Sequence, residues 1–290
     1  MRGDRGREVG MSEARCFPCA KINVGLQVVA RRADGFHDLR TVFLRVPGYH
    51  DEMLMEFGSA GASGLQLEVE GYSVQEAIEE NLVWCAYDAL KCFSPLPARV
   101  KLRKRIPLGA GLGGGSSDAA SALRCFAQHC RKGVPQSDID RIALRLGSDV
   151  PFFLRQGACY AEGRGEELEA ISLPVGGMYI VVVTPPVHVS TGEAFGLVKP
   201  NGNRQGLREV LLNTPVEAWQ GRVENDFWPV LIGRYPQMDA IARELRGLGA
   251  VFTSLSGSGP SIYGLFRVQV EIGEGTFVGC RVYAGAIGEG

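Results

Sequence analysis

The sequence predicts an α+β fold, and three observations predict it. The first 70 residues read as successive strands, with residues 20–28 alternating in the way of a half-buried strand and further strand-like runs at 41–46, 51–57 and 65–69. Five glycines crowded into residues 109–115 then run straight into a helix-forming segment. Last, a Gly-rich and acidic connection over residues 157–173 precedes a second half, which opens on a buried apolar strand and carries its own helices and strands. With 290 residues and 45% hydrophobic content, the chain can bury a large core. It is long enough for two domains, and length alone does not exclude one.

Taken in order, residues 1–14 are charged and Gly-rich with no apolar run behind them, unlike a signal peptide or a spanning helix. A disordered N-terminal extension is expected there, with Met11 as an alternative start. Cys16 and Cys19 form a lone C-x-x-C without the second ligand pair that zinc requires. The eight cysteines are therefore expected as free thiols in a reducing cytoplasm. A formal net charge of -1 gives no general attraction to nucleic acid or to an anionic membrane.

In the strand at 20–28, Lys21 and Asn23 share a face and lie about 6.5 Å apart along the chain, so both can reach one small ligand. An ordinary solvated lysine is the simpler alternative. Asp34-Gly35 marks a bend, and Phe36 and His37 follow it, an aromatic and an imidazole suited to stacking on and hydrogen-bonding a planar base. Packing of the one and solvation of the other is the commoner outcome. Residues 81–93 carry apolar side chains at helical spacing and stop at Pro95 and Pro97. In the strand at 99–105, Arg99, Lys101, Arg103 and Arg105 fall on one face, read as solvated.

Pro107, Leu108, Gly109, Ala110, Gly111, Leu112, Gly113, Gly114 and Gly115 then lead to Ser116 and Ser117, expected to cap a helix that begins near Asp118. Glycine takes positive φ and lets backbone N–H groups approach an anion, and the loop ends at a helix N-terminus, so it reads as a phosphate cradle. Gly109, Gly111 and Gly114 satisfy G-x-G-x-x-G, but no strand-end acidic residue follows about 20 residues on, as a dinucleotide fold requires. No lysine follows the last glycine, so this is not a P-loop either. A lysine for the phosphates must come from elsewhere in the chain.

Ser137 is expected to cap a helix that runs to Leu146 and stops at Gly147. Asp149 then stands between that helix end and an apolar strand at 150–153, with Pro151 biasing Val150 to extended geometry. The second half is expected to contain a strand at 178–184, a short helix opened by Ser190, a loop at 201–206, a helix at 240–248 and strands at 251–256 and 261–266.

These segments together resemble the GHMP kinases, whose central loop is matched by residues 107–120. The residues around Lys21 and Asn23, around Phe36 and His37, the glycine loop, residues 147–153 and residues 256–260 match in order the branch that acts on a cytidine-diphosphate-linked methylerythritol. The resemblance covers residues 15–285. It implies a two-domain α+β fold, with a ribosomal-S5-domain-2-like ATP-binding domain at 15–168 and a ferredoxin-like domain at 169–290. It implies transfer of the ATP γ-phosphate, with Mg²⁺, to the 2-hydroxyl of 4-diphosphocytidyl-2-C-methylerythritol on the non-mevalonate route to isoprenoids. By the same analogy Lys21 and Asp149 are the catalytic pair, residues 107–117 hold the triphosphate, and Asn81 lies near the adenine. Asn23 and His37 contact substrate, with Phe36 and Phe195 flanking the base. The ligands of the metal stay unassigned. A monomer or weak homodimer in the cytoplasm is expected, acting on a small molecule. Phe36 stands where the family has tyrosine, and Trp228 where it ordinarily has glutamate. A homoserine, mevalonate or sugar kinase of the same superfamily, or a nucleotide-binding protein without catalysis, are the alternatives.

Overall fold

A computed structural model describes residues 12–58, 63–71, 77–203 and 206–288. In chain order its elements are β1 (Ser12–Cys16), β2 (Cys19–Arg31), β3 (His37–His50), β4 (Glu52–Phe57), β5 (Leu65–Gly71), α1 (Leu82–Ala89), β6 (Ala98–Lys104), α2 (Gly114–Gln128), α3 (Gln136–Leu146) and α4 (Val150–Leu154). There follow β7 (Ala158–Glu162), β8 (Glu167–Ile171), β9 (Tyr179–Thr184), α5 (Thr191–Leu197), α6 (Leu207–Asn213), α7 (Trp228–Ile232), α8 (Pro236–Gly247), β10 (Phe252–Leu255), β11 (Ile262–Phe266) and β12 (Arg281–Ala286).

The strands form three four-stranded sheets, ordered β1-β4-β6-β5, β2-β3-β7-β8 and β10-β11-β9-β12. Among the strands of the described residues only β5 and β6 pair in parallel, and α1 lies between them in sequence as the crossover. One core packs the inner face of the first sheet against α1, α2, α3 and α4, with Met55, Val100, Phe126 and Phe152 at its centre. A second core lies between β2–β3 and the C-terminal sheet, and a third joins that sheet to α7 and α8.

Strand β2 runs between these cores, and so its residues from Cys19 to Val28 are buried on both faces. Ile22 and Val24 fill the second core and Leu26 and Val28 the third, while Lys21 and Asn23 are buried toward the site. Its pairing with β3 breaks between Asn23 and Leu26. Gly25 sits at the break with φ of +72°, and a Cβ there would lie 2.6 Å from Leu207 Cδ1.

Several expectations are corrected. The extension at 1–14 ends earlier than expected: residues 1–11 lie outside the described residues, while Ser12 to Ala14 already pair with β4 as part of β1. Helix α2 starts at Gly114 with Gly113 as its N-cap, so Ser116 and Ser117 lie inside its first turn and cap nothing. Pro135, rather than Ser137, precedes α3. The apolar run after Asp149 is the short helix α4, because Pro151 falls at its first turn, where a missing N–H costs nothing. The Gly-rich connection at 157–173 is the antiparallel hairpin β7–β8. Because β8 belongs to the sheet of β2 and β3, we place the division between the two halves after Ile171 rather than at 168. Helices α6 and α7 and strand β12 had no counterpart in the sequence reading.

Candidate active site

The glycine loop is held at several points by its own backbone. Lys21 N–H donates to Leu112 O at 2.9 Å, Ser261 N–H to Ala110 O at 3.3 Å and the Ser256 hydroxyl to Gly111 O at 2.8 Å. Ala110 and Leu112 bury their side chains in the second core, so the loop is anchored by apolar packing as well. Gly109, Gly111 and Gly113 have φ of +61°, +75° and +69°, a region that L side chains avoid. A Cβ on Gly111 would stand 2.1 Å from the carbonyl oxygen of Ser256. With the β10–β11 turn pressed against it, the loop leads into the 15-residue helix α2, whose first amides and positive dipole end suit phosphate.

Beside the loop lies the lysine that the glycine pattern lacked. Lys21 Nζ donates to Asn23 Oδ1 at 2.6 Å, stands 3.3 Å from Asp149 Oδ2 and lies 4.9 Å from the centroid of the Phe43 ring. Asn23 is fixed in turn: its Nδ2 donates to Thr41 Oγ1, whose hydroxyl donates to Gly25 O. Its backbone N–H donates to Ser256 Oγ, and Tyr263 OH donates to its carbonyl. The Lys21 side chain is 4% exposed and that of Asp149 31%, so the cation is inaccessible to bulk water while the carboxylate faces the open site. Arg45 steadies the short helix behind Asp149, donating to the carbonyls of Phe152 and Arg155 at 3.1 and 2.6 Å.

A cavity of about 730 Å³ unites these parts. Lys21, Asn23, Asp149 and the loop glycines 109, 111 and 113 line one end, and Phe36, His37 and Phe195 the other. Phe195 stacks on His37, with ring centroids 4.9 Å apart and planes 21° from parallel. The Arg164 guanidinium covers the half-exposed Phe36 at 4.6 Å from its centroid. Sequence reasoning missed Arg164, which lies in the turn of a hairpin read as a connection. Asn81 does not join this cavity. It is the N-cap of α1, accepting a hydrogen bond from Val83 N–H, and lines a separate recess of about 120 Å³ with Leu82, Leu108 and Gly115.

The C-x-x-C pair does not act as a pair: Cys16 Sγ lies 3.3 Å from Cys125 Sγ, whereas Cys19 Sγ meets Arg45. The hydrogen bond that Cys16 shares with Cys125 is the main reason that the pKa of the Cys16 thiol is lowered to about 7. Asn225 and Asp226, in the segment that departs from the expected pattern at Trp228, are structural. Asn225 Nδ2 donates to the carbonyls of Leu255 and Gly257, and Asp226 Oδ2 accepts from Val28 N–H. Among the described residues, no group of three or more His, Cys, Asp and Glu is placed to hold a metal ion, and no helix is long and apolar enough to cross a membrane.

A buried lysine and a carboxylate beside a glycine-rich loop, in an α+β chain of two halves, are the arrangement expected of a small-molecule kinase of the GHMP class. The GHMP kinases N terminal domain model matches residues 81–157 and the GHMP kinases C terminal model residues 217–272. The chain is 36% identical over 274 residues to the 4-diphosphocytidyl-2-C-methyl-D-erythritol kinase of Parabacteroides distasonis, covering 94% of this chain and 99% of that one. It is 38% identical to that of Bacteroides thetaiotaomicron over 91% of this chain and 97% of the other. A crystal structure of 4-(cytidine 5'-diphospho)-2C-methyl-D-erythritol kinase superposes with a TM-score of 0.77 at 30% identity, covering 96% of this chain and all of that one. Homoserine kinase from Cytophaga hutchinsonii shares the fold at a TM-score of 0.63 and 19% identity, over all of this chain and 98% of that one. The chain belongs to the 4-diphosphocytidyl-2-C-methyl-D-erythritol kinase family of the GHMP kinases.

Proposed function

We propose that this chain transfers the γ-phosphoryl group of ATP to the 2-hydroxyl of 4-diphosphocytidyl-2-C-methyl-D-erythritol, in the non-mevalonate route to isoprenoids. The observation that carries the reading is one cavity with the Lys21–Asp149 pair and the glycine loop at one end and the Phe36–His37 pair at the other. The names of the relatives supply the acceptor. When bound, ATP supplies the phosphoryl group and Mg²⁺ offsets part of the charge on its phosphates. Among the described residues the cavity lining brings one carboxylate, Asp149, so a cation arriving with the nucleotide would keep mostly phosphate and water oxygens.

Within this reading Asp149 Oδ2 accepts the proton of the acceptor hydroxyl as the hydroxyl oxygen bonds to the γ-phosphorus and the bond from that phosphorus to the bridging oxygen breaks, ADP leaving with that oxygen. Lys21 holds its charge beside that carboxylate and beside the transferring group, kept in place by Asn23. Backbone N–H groups of Gly109 to Ser116, the last of them at the N-terminus of α2, receive the phosphate oxygens. His37 and Phe36 meet the cytosine, His37 at its hydrogen-bonding edge and Phe36 at its face. A catalytic monomer or weak homodimer, working in the cytoplasm, belongs to the same reading. ADP release measured with the cytidyl substrate, homoserine and mevalonate tests the reading. The expected result is turnover with the cytidyl substrate at a kcat/KM far above the other two. Faster turnover of homoserine or mevalonate, or no release at all, would refute it.

A further inference from the structure

Beneath the glycine loop, away from the catalytic pair, one ammonium serves two carboxylates. Lys104 Nζ, at the end of β6, donates to Asp51 Oδ2 and, at 2.5 Å, to Asp118 Oδ2 on α2. The three side chains are 2%, 0% and 4% exposed. Asp51 Oδ1 also accepts the backbone N–H groups of Arg105 at 2.5 Å and Ile106 at 2.8 Å, the two residues before Pro107. Asp118 sits in the first turns of the helix that leaves the loop. The cluster therefore clamps the chain entering the loop to the chain leaving it. Lys104 Nζ would lie 3.4 Å from a Cβ on Gly114, so the cluster stands directly under the helix start.

The charge count does not balance. Two ionised carboxylates on one lysine would leave a net negative charge buried away from water, at a cost of several kcal/mol, and a buried group escapes such a cost by neutralising. Hydrogen bonding decides which one does. Asp51 takes three N–H donors, whereas Asp118 takes one, Lys104 Nζ, and otherwise faces the Asp51 carboxylate, while its Oδ1 has no partner among the described residues. Among the described residues, the only other charged group lining the recess around Asp118 is the exposed Glu80, which adds no cation. We propose that Asp51, Lys104 and Asp118 hold one proton beyond the lysine's own, on Asp118, and that this proton positions the phosphate loop for the nucleotide. Burial, outweighing Lys104 and reinforced by Asp51, pushes the Asp118 carboxyl up to about 8. Burial also works against the Lys104 ammonium, but Asp118 and Asp51 beside it prevail and raise its pKa.

Loss of the proton places a negative charge under the loop that receives phosphates. The inference thus rests on the reading of that loop as the nucleotide site, and its consequence is weaker nucleotide binding above pH 8. ADP with Mg²⁺, titrated into the full chain by calorimetry at pH 7.5 and 9.5, should bind roughly tenfold more weakly at the higher pH, the scale of one extra charge at close range. In Asp118→Asn, which carries no titrating proton, the ratio of the two Kd values should fall to about one. In buffers of differing ionisation heat, the wild type should take up roughly half a proton on binding ADP near pH 8.5, and the variant none. Carbon-13 NMR of aspartate carboxyls in the wild-type chain should show one titrating near pH 8, a measurement independent of whether the variant folds. If no carboxyl titrates between pH 6.5 and 9.5, or if the variant keeps the wild-type ratio, the inference is overturned. Absence of ADP binding at both pH values would instead overturn the loop reading on which it rests.

Discussion

Lys21 touches Asn23 and Asp149 at once, so two substitutions separate its charge from the carboxylate's basicity. Asp149→Asn keeps the shape and loses the base, and general-base removal costs about 10² to 10⁴ in rate. The expected outcome in steady-state kinetics is a fall in kcat of that size with the KM for ATP nearly unchanged, and retention of more than about a tenth of kcat would exclude the role. Lys21→Met keeps the length of the side chain but removes the cation that lies 3.3 Å from Asp149 Oδ2, so kcat should fall by on the order of 10² or more. Asn23 then loses its donor at Oδ1, and circular dichroism should show that the variant still folds. At the other end of the cavity, stacking cannot tell cytosine from uracil, because both present similar faces. His37 offers the polar contact, and a site that pairs with specific polar groups rejects the wrong partner by up to about 10⁴-fold. His37→Ala should lower kcat/KM for the cytidyl substrate and narrow the preference over its uridyl analogue, whereas Phe36→Ala should weaken both alike. An unchanged kcat/KM in His37→Ala would leave that imidazole as only the stacking partner of Phe195.

At the scale of elements, the proposed cradle depends on backbone approach, and of the loop glycines Gly111 has the closest hypothetical Cβ contact, with Ser256 O. Its φ of +75° and the 2.1 Å between a hypothetical Cβ and Ser256 O mean that alanine must push the β10–β11 turn away from the loop. Gly111→Ala is expected to raise the KM for ATP at least tenfold and to lower the melting temperature by several degrees, as a strain of roughly 1–3 kcal/mol implies. Wild-type nucleotide affinity by calorimetry in that variant would show the cradle assignment to be wrong. The sequence made this loop legible because glycine density and a following helix are local signals. Lys21, Asn23 and Asp149 were legible by motif, and Lys104 was legible in principle: it shares the buried parity of Ala98, Val100 and Leu102 on β6, while the reading followed the charged parity of Arg99, Lys101 and Arg103. Other features had no local signal. A four-residue apolar run after Asp149 fits a strand or a helix equally, and packing on α2 selected the helix. The hairpin β7–β8 is short and Gly-flanked, and Arg164 reaches Phe36 only because that hairpin folds back. Contacts such as Ser256 to Gly111, 145 residues apart, exist only in the folded chain.

For the whole molecule, the clustered charges under the loop link folding to pH. A carboxyl raised from its ordinary 3.8 to about 8 binds its proton more tightly in the folded chain than in the unfolded one. Between those two values the native state holds a proton that the unfolded state has released, so stability falls as pH rises across that window. Below about pH 4 both states are protonated and this contribution is fully favourable; above about pH 8 both are ionised and it is lost, leaving a buried charge excess. The opposite sign would hold for a carboxylate lowered by its partners, and acid would then be the destabilising direction. Each pKa unit is worth about 1.4 kcal/mol, so a group buried this completely contributes roughly 3–6 kcal/mol over the window. Other titrating groups also contribute, which makes the comparison with Asp118→Asn the informative one. Urea unfolding at pH 5.5 and 8.5 should show the wild type losing at least about 2 kcal/mol more than the variant across that interval. The variant should also be the more stable of the two at pH 8.5, since it presents Lys104 and Asp51 as a balanced buried pair. Equal losses in the two proteins would mean that Asp118 is already ionised at pH 5.5 and that the fold tolerates two carboxylates on one lysine beneath its glycine loop.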